Sequence, residues 1–507
     1  MSSTKDTLAL VKTARQSPVD ELAKAGWAQS GSAVSGLTAY DLEAPAKSLF
    51  PVLTPLRNRI ARVSGKGGIQ ANWRAITGIN TAGTMAGVSQ GNRGAAITHT
   101  TADYLAAYRG IGLEDFVNFE AEYSAEGFDD AKARAVENLL RAVMIQEEML
   151  DLGGNTSVPL GTTPTPALTT GVGGTLVAST AHNVFCVALT LQGLQQVAGY
   201  NNGATGQTGA IAGATLVATA VRTNMDATTD TLNMGTAQKS AVATITTGAG
   251  VGVNSISATV APVSGAVAYA WFWGQAGAEL LGAVTTINSV LILAVATGAT
   301  NIATLPATDN STDGLVYDGL LSQIMKSGSG AYVRDLATGV AGTGTPLTSD
   351  GAAGIVEIDT ALASFWNLYR LSPDEMFVAA NVMLAMNKLI IANGGAPLIR
   401  YNIDAQGQSG QIQAGIVVAS YLNKITGNYV KITIHPNMPA GMIMFWSNSV
   451  PYPLSGVANV IQKRLRRDYY QMEWALRSRR YEYGVYADGV LQNYFPPAFG
   501  IIKNIAA

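Results

Sequence analysis

The chain has 507 residues, so more than one core and two or three domains are expected. Only 13% of residues are charged, 55 are glycine, and 32 Lys and Arg stand against 34 Asp and Glu for a formal charge of −2. This argues against a strongly basic nucleic-acid binder and against an acidic tail. The single cysteine, Cys186 in the apolar run VFCVAL, excludes an intrachain disulfide framework and predicts a reducing compartment or a particle assembled in one.

Residues 1 to about 55 read as an arm with one short helix. Ser17 is its cap, Pro18 its first position, and Asp20 and Glu21 lie in its first turn. The N-terminal MSSTKDTLALVKTARQ has no apolar run of signal-peptide length, and SVLILAVA is too short to span a bilayer, so no membrane is expected. The arm is too poor in apolar residues to bury itself, and it is expected to be disordered or to lie on something else.

From Leu53, in LTPLRNRIARVSGKGGIQANWRAITGIN, Ile69, Ala71, Trp73 and Ala75 alternate with polar residues, a two-residue period that predicts a strand. Gly-rich TAGTMAGVSQGNRG turns the chain and AAITHTTADYLAAY returns it, giving a hairpin of about fifteen residues per arm. Such a hairpin has too little apolar area to stand alone and is expected to lie on a neighbour. Gly87, Ser89 and Gly91 match GxSxG, but the elbow needs a strand before it and a helix after it, so a loop is expected. His99, His182 and His435 are the candidate bases, and none has an acid signature beside it.

The longest helical pattern runs from Ser124 to Gly154, with Phe128, Ala131, Ala135, Leu139, Ala142, Val143 and Leu150 on one stripe. Asp130 with Arg134 and Glu137 with Arg141 are acid-before-base pairs four apart. Gly153 and Gly154 predict a left-handed stop. A helix on the order of 40 Å would cross a flat subunit. Glu147, Glu148 and Asp151 crowd its C-terminal end, where the helix dipole disfavours negative charge, so basic partners are expected beside them. A metal site is the weaker reading, because no His or further acidic cluster follows.

After the connector TSVPLGTTPTPALTTGVGG, residues 172 to 305 are short β runs, with Tyr269, Trp271 and Trp273 on one face as the anchor of a small sandwich. Stacking of these rings on a sugar or a base is the alternative. Helical text returns at Tyr317 and again from Ile355 to Leu371, where Ile355, Ile358, Leu362, Phe365 and Tyr369 share a face. A further helix is expected from Ser372 as cap, Pro373, Glu375 completing a capping box, and Asn393 with Gly394 as stop. The strands GIVVASYL, YVKITIHP and GMIMFWS follow. Seven Lys and Arg lie between Lys463 and Arg480, among them Arg466 and Arg467. Met472, Trp474 and Leu476 alternate with Glu473, Ala475 and Arg477, which predicts a strand whose arginines meet acidic partners, Glu147, Glu148 and Asp151 being candidates. Phosphate is the other ligand they could take.

The order of these elements resembles the major capsid protein of tailed double-stranded-DNA bacteriophages, the Hong Kong 97 type of shell subunit. The likeness rests on the arm, the hairpin after LTPLRNRIARVSGKGG, the helix FDDAKARAVENLLRAVMIQEEMLDLGGN, and the terminal KRLRRDYYQMEWALRSRRYEYGVYADG with NYFPPAFGIIKNI. It implies an α+β fold with an all-β, immunoglobulin-like insertion. The arm would be 1–61, the extended hairpin loop 62–110, and the spine helix with part of the peripheral domain 111–170. The insertion would be 171–308, the axial domain 309–462 and the C-terminal peripheral strands 463–507.

The resemblance implies a structural protein of the virion, assembled in the host cytoplasm, with no catalytic residue, cofactor or metal. Its partners would be itself in hexamers and pentamers of an icosahedral lattice, a portal, scaffolding or decoration proteins, and non-specifically contacted double-stranded DNA. Some members cross-link through a loop lysine; here Thr81 to Gly94 has none and Lys66 lies near the base, so cross-linking is not expected. Arg57, Arg59, Arg62, Lys66, Arg74 and Arg93 are expected to face carboxylates of other subunits, with Glu147, Glu148, Asp151, Arg466 and Arg467 as further inter-subunit residues. An encapsulin-like compartment and a carbohydrate-binding or adhesive β-sandwich protein are the alternatives.

Overall fold

Four consecutive buried residues, Glu375, Met376, Phe377 and Val378, form the middle of the largest sheet rather than the first turn of a helix. A strand buried on both faces shows no two-residue alternation, which is why EMFV does not announce itself. The expected capping box at Ser372 and Glu375 is therefore corrected: Ser372 accepts a hydrogen bond from Asn423 Nδ2 at 2.9 Å, and the helix begins only at Ala380.

A computed structural model describes residues 49–79, 87–94, 96–125, 130–197, 213–352, 354–392, 399–403, 410–414 and 418–506. The expected helix near Ser17 and the stop at Asn393 and Gly394 lie outside the described residues, as does Phe128 of the helical stripe. The chain divides into two compact units, residues 1–51 with 117–134, and residues 52–116 with 135–507. In the first, the short helix Phe119–Ala125 is tied to the residues that open the next helix by an ion pair between Lys132 and Glu122 at 2.5 Å.

In the second unit the six-stranded sheet runs in the order Tyr332–Asp335, Gly500–Lys503, Ile443–Trp446, Glu375–Val378, Tyr429–Ile434, Ser420–Leu422. Its core is aromatic. Phe365, from the helix Val356–Tyr369, meets Phe445 edge-on at 5.6 Å, and Trp446 meets Phe377 at 5.9 Å and Phe499 at 5.1 Å. That helix buries Ile358, Leu362 and Phe365, as its spacing predicts, and ends with Arg370 in the left-handed region. Gly500–Lys503, inside the 463–507 expected as peripheral strands, pairs in this sheet with Tyr332–Asp335 and Ile443–Trp446.

The second sheet has the order Ala61–Ser64, Ile461–Glu473, Arg480–Asn493, Arg109–Asn118. Its middle pair is a long antiparallel hairpin whose register shifts between Leu465 and Tyr470. Residues 474–479 form the turn of this hairpin, so Leu476 and Arg477 do not continue a strand as expected. The ribbon of Gln70–Ile79 and His99–Ala107 is the expected first hairpin, with ten and nine residues per arm instead of about fifteen.

The spine helix spans Ala131–Gly153, 23 residues and about 35 Å at 1.5 Å each, shorter than the run from Ser124. Asp130 caps it, accepting from Lys132 and Ala133 N–H at 3.1 and 3.0 Å, and the expected Glu137–Arg141 pair forms. Gly153 and Gly154 do not adopt the left-handed conformation. They are needed for close approach, because a Cβ on Gly153 would lie 2.4 Å from the Leu191 side chain and one on Gly154 would lie 2.4 Å from the Tyr317 carbonyl.

The β region contains a three-stranded sheet, Ser289–Ile292, Asn254–Thr259 and Ala167–Leu176, and a four-stranded sheet, Leu280–Thr285, Ala268–Gly274, Ala181–Leu189 and Ala243–Thr246. Facing residues from both, including Leu176, Ile256, Cys186, Tyr269, Trp271 and Trp273, share one buried cluster. The aromatic strand is thus core, with Trp271 Nε1 donating to Thr285 Oγ1 and Trp273 Nε1 to the Ala294 carbonyl, each at 2.9 Å. The alternate residues Ala270 and Phe272 belong to the larger cluster of the chain, so the four-stranded sheet is covered on both faces. The expected boundary at 171 falls inside the strand Ala167–Leu176.

Candidate functional site

The acidic end of the spine helix is a dense charged cluster built into the protein interior. Glu147 and Glu148 are 0% exposed and Asp151 is 1%. The helix carries them on adjacent turns, and between them they reach several distant segments of the chain. Glu148 accepts the backbone N–H groups of Leu56 and Arg57 at 3.0 and 2.6 Å, at the start of the short helix Pro55–Arg59. Its Oε1 also meets His435 Nε2 at 2.6 Å. His435 Nδ1 accepts from the Asn437 N–H at 3.1 Å, so Nε2 carries the proton and donates it to the carboxylate.

Glu147 gathers the cations. Arg57 Nε lies 2.9 Å from Oε2, Arg62 Nη1 lies 2.9 Å from Oε1, Lys463 Nζ lies 3.4 Å from Oε1, and the Tyr469 hydroxyl donates to Oε2. Burial pushes the Glu147 carboxyl up, but Lys463, Tyr469 and Arg62 together outweigh it and hold the group down at about 2. Both guanidinium groups also sit over the Tyr469 ring, at 5.2 Å for Arg57 and 4.8 Å for Arg62. Asp151 is bonded to Lys463 Nζ and to the Tyr317 hydroxyl, both at 2.6 Å. Burial raises its pKa, Lys463 opposes that, and the nearby Glu147 charge adds to the rise.

These contacts clasp five parts of the chain: the strap 54–64, the spine helix, the segment carrying Tyr317, the strand Ile461–Glu473 and the turn after Tyr429–Ile434. The strap is further fixed by parallel pairing of Ala61–Ser64 with Gln462–Leu465 and by Gly65 N–H to the Leu465 carbonyl at 2.6 Å. Every carboxylate here is held by donors of its own chain, so the cluster is a structural lock. Arg57, Arg62, Glu147, Glu148 and Asp151, expected at contacts with other subunits, are engaged within this chain by one another and by Lys463, His435, Tyr317 and Tyr469.

The remaining expected contact residues lie elsewhere. Arg59 pairs with the buried Glu375 at 3.3 Å. Arg74 pairs with Asp103 across the hairpin at 2.5 Å, both exposed. Arg466 pairs with Asp488 at 3.1 Å and Arg467 stacks over Tyr470 at 4.0 Å. Lys66 and Arg93 are exposed. Ser89 of GxSxG lies in an exposed loop and accepts from Asn92 Nδ2 at 2.5 Å. His182 is buried with neither ring nitrogen hydrogen-bonded among the described residues, and burial lowers its pKa. Sequence reasoning did not place Tyr317, His435 or Tyr469 in the clasp; their partners are far away along the chain, where no periodicity reaches.

No family model matches the chain, and no curated protein matches it. Among solved structures it is similar to the capsid of Myoviridae Phage XM1, with 9% identity and a TM-score of 0.40 over 92% of this chain and 97% of that one. It is also similar to the capsid of a native GTA particle, with 9% identity and a TM-score of 0.41 over 93% and 96%. A third is the capsid of the cyanophage P-SCSP1u, with 9% identity and a TM-score of 0.39 over 94% and 96%.

Proposed function

We propose that the chain is a major capsid protein that self-assembles into the icosahedral shell around the double-stranded DNA of a tailed bacteriophage. The observation that carries this is the ribbon Gln70–Ile79 with His99–Ala107. It is a two-stranded sheet, and Ile76, Ile79 and Leu105 are exposed on it. An isolated two-stranded ribbon is marginal in water, and this one carries bulky apolar side chains that further copies of the chain would cover. The clasp supports the same reading, since it fixes the strap from which the ribbon departs.

In this reading the copies form hexamers and pentamers of a closed lattice, with obligate interfaces of thousands of Å². Lys66 and Arg93, exposed and without an ion pair among the described residues, would reach carboxylates of neighbours, and Arg74, Arg466 and Arg467 would line the same contacts. Portal, scaffolding or decoration proteins would complete the head, and DNA would be held weakly and without sequence preference. The facing sheets of three and four strands support an immunoglobulin-like reading of residues 171–308. The role is structural, in the virion. Expression of the chain alone followed by negative-stain imaging tests the proposal: closed shells or capsomers are expected, and a persistent monomer would overturn it.

A further inference from the structure

Lys463 and Asp151 are each 1% exposed. The lysine lies on Ile461–Glu473, paired with Arg62 on one side and Leu491 on the other, so its backbone is held between two strands. Glu147 and Asp151 stand four residues apart on the spine helix and share one face of it. The Lys463 amine is thereby fixed 2.6 Å from Asp151 Oδ1 and 3.4 Å from Glu147 Oε1. Tyr317 completes the group. Its hydroxyl accepts from the amine and donates to Asp151 Oδ1 at 2.6 Å, and the amine lies 3.9 Å from the centre of its ring.

The two acids are held differently. Glu147 also takes Arg57, Arg62 and the Tyr469 hydroxyl, which keep it a carboxylate. Asp151 takes Lys463 and Tyr317, and burial raises its pKa. One acid is therefore placed to accept a proton from the amine, and the other stays a base.

A buried ammonium and carboxylate each forfeit hydration worth several kcal/mol, which condensation to a neutral amide would relieve. Groups held in contact in this way react as if at concentrations on the order of 10⁵–10⁸ M.

We propose that Lys463 and Asp151 join in an intrachain isopeptide bond that the protein forms by itself, with Glu147 as base and Tyr317 as donor to the reacting carbonyl oxygen. One proton passes from the Lys463 ammonium to the Asp151 carboxylate, leaving an amine and a carboxylic acid. The Nζ lone pair attacks Cγ, a C–N bond forms, and Glu147 takes a second proton from Nζ. Tyr317 donates to the oxygen on which negative charge gathers. Glu147 then returns its proton to the other oxygen, the C–O bond breaks and one water leaves. Nothing is oxidised or reduced. The bond ties the spine helix to the sheet across 312 residues. It goes beyond the shell reading and does not depend on it, since every residue it uses belongs to one chain.

Intact-mass measurement of the full-length chain tests this, beside Lys463→Arg, which keeps the cation but cannot condense, and Glu147→Gln. The wild type is expected to be lighter than its sequence by one water, and Lys463→Arg to keep its full mass. A protease digest of the wild type should contain the Asp151 and Lys463 peptides joined. In pulse-labelled protein, Glu147→Gln should slow the appearance of that joined peptide about a hundredfold, as loss of a general base implies. Should the variants fold poorly, the wild-type mass and digest carry the test. A wild type of full mass would overturn the proposal, as would a water lost equally by Lys463→Arg. So would a water that the digest traces to a cyclic imide at an Asp–Gly step such as Asp313–Gly314. Joining by Glu147→Gln at the wild-type rate would overturn the role of Glu147.

Discussion

Glu148 and His435 are 287 residues apart in the chain and meet at 2.6 Å with both side chains wholly buried. The same carboxylate closes the first turn of Pro55–Arg59, so one side chain ties the strap to the spine helix and to the turn that follows the central sheet. Replacing Glu148 by Gln removes the charge and turns one acceptor into a donor. The expected cost is about 2–4 kcal/mol in chemical denaturation, with faster hydrogen exchange at the Leu56 and Arg57 amides than elsewhere in the unit. Exchange at those two amides equal to the wild type would show that the carboxylate does not hold the strap.

Lys463 is almost wholly buried between Asp151 and Glu147. Lys463→Met leaves the buried Asp151 without its cation and takes one of three from Glu147, and is expected to destabilise the chain by about 3–5 kcal/mol. Adding Asp151→Leu to that variant should recover part of the loss, because the removed charge no longer needs a partner. A double-mutant cycle in urea measures this, and strictly additive effects would refute the coupling.

The pH dependence of the clasp has a definite sign. The folded pKa of Glu147 is depressed, to about 2 from an ordinary 4.5, so its contribution is complete above about pH 4.5 and is lost as pH falls toward 2. The raised pKa of Asp151 works in the opposite direction, which makes the difference between wild type and Glu147→Gln the cleaner quantity. That difference in thermal midpoint should be constant from pH 5 to 7 and should shrink below about pH 4.5. A difference that grew on acidification would contradict the network.

Trp271 is fully buried between the two sheets of the β region, and its indole N–H is satisfied by Thr285. Trp271→Ala is expected to cost about 3–5 kcal/mol, while Trp271→Phe should cost less, since Thr285 Oγ1 keeps its bond to the Ile287 carbonyl at 2.7 Å. Calorimetric unfolding of the two variants separates lost packing from the lost hydrogen bond.

Leu454 combines a positive φ of 59° with complete solvent exposure. A leucine there meets backbone strain with no burial to offset it. Leu454→Gly is expected to raise stability by a few tenths to about 1 kcal/mol, net of the entropy glycine adds to the unfolded chain, and a loss of stability in urea would show that the leucine has contacts of its own.

Sequence alone determined the parts whose signal is local. The helix Val356–Tyr369 announces itself by apolar side chains at steps of three and four, the ribbon by alternation from Ala71 onward, and the β region by short runs between turn residues. The need of Glu147, Glu148 and Asp151 for basic partners also followed from their place at a helix C-terminal end. Only the tertiary structure decided which partners. Charges attract at any sequence separation, so Glu147 was equally compatible with arginines of its own chain and of another, and burial chose its own. Strand order was likewise hidden, because Glu375–Val378 and Ile443–Trp446 are buried on both faces and show no alternation. Gly153 and Gly154 read as a stop signal, yet what they supply is room for Leu191 and Tyr317, a requirement set by neighbours that no stretch of sequence displays.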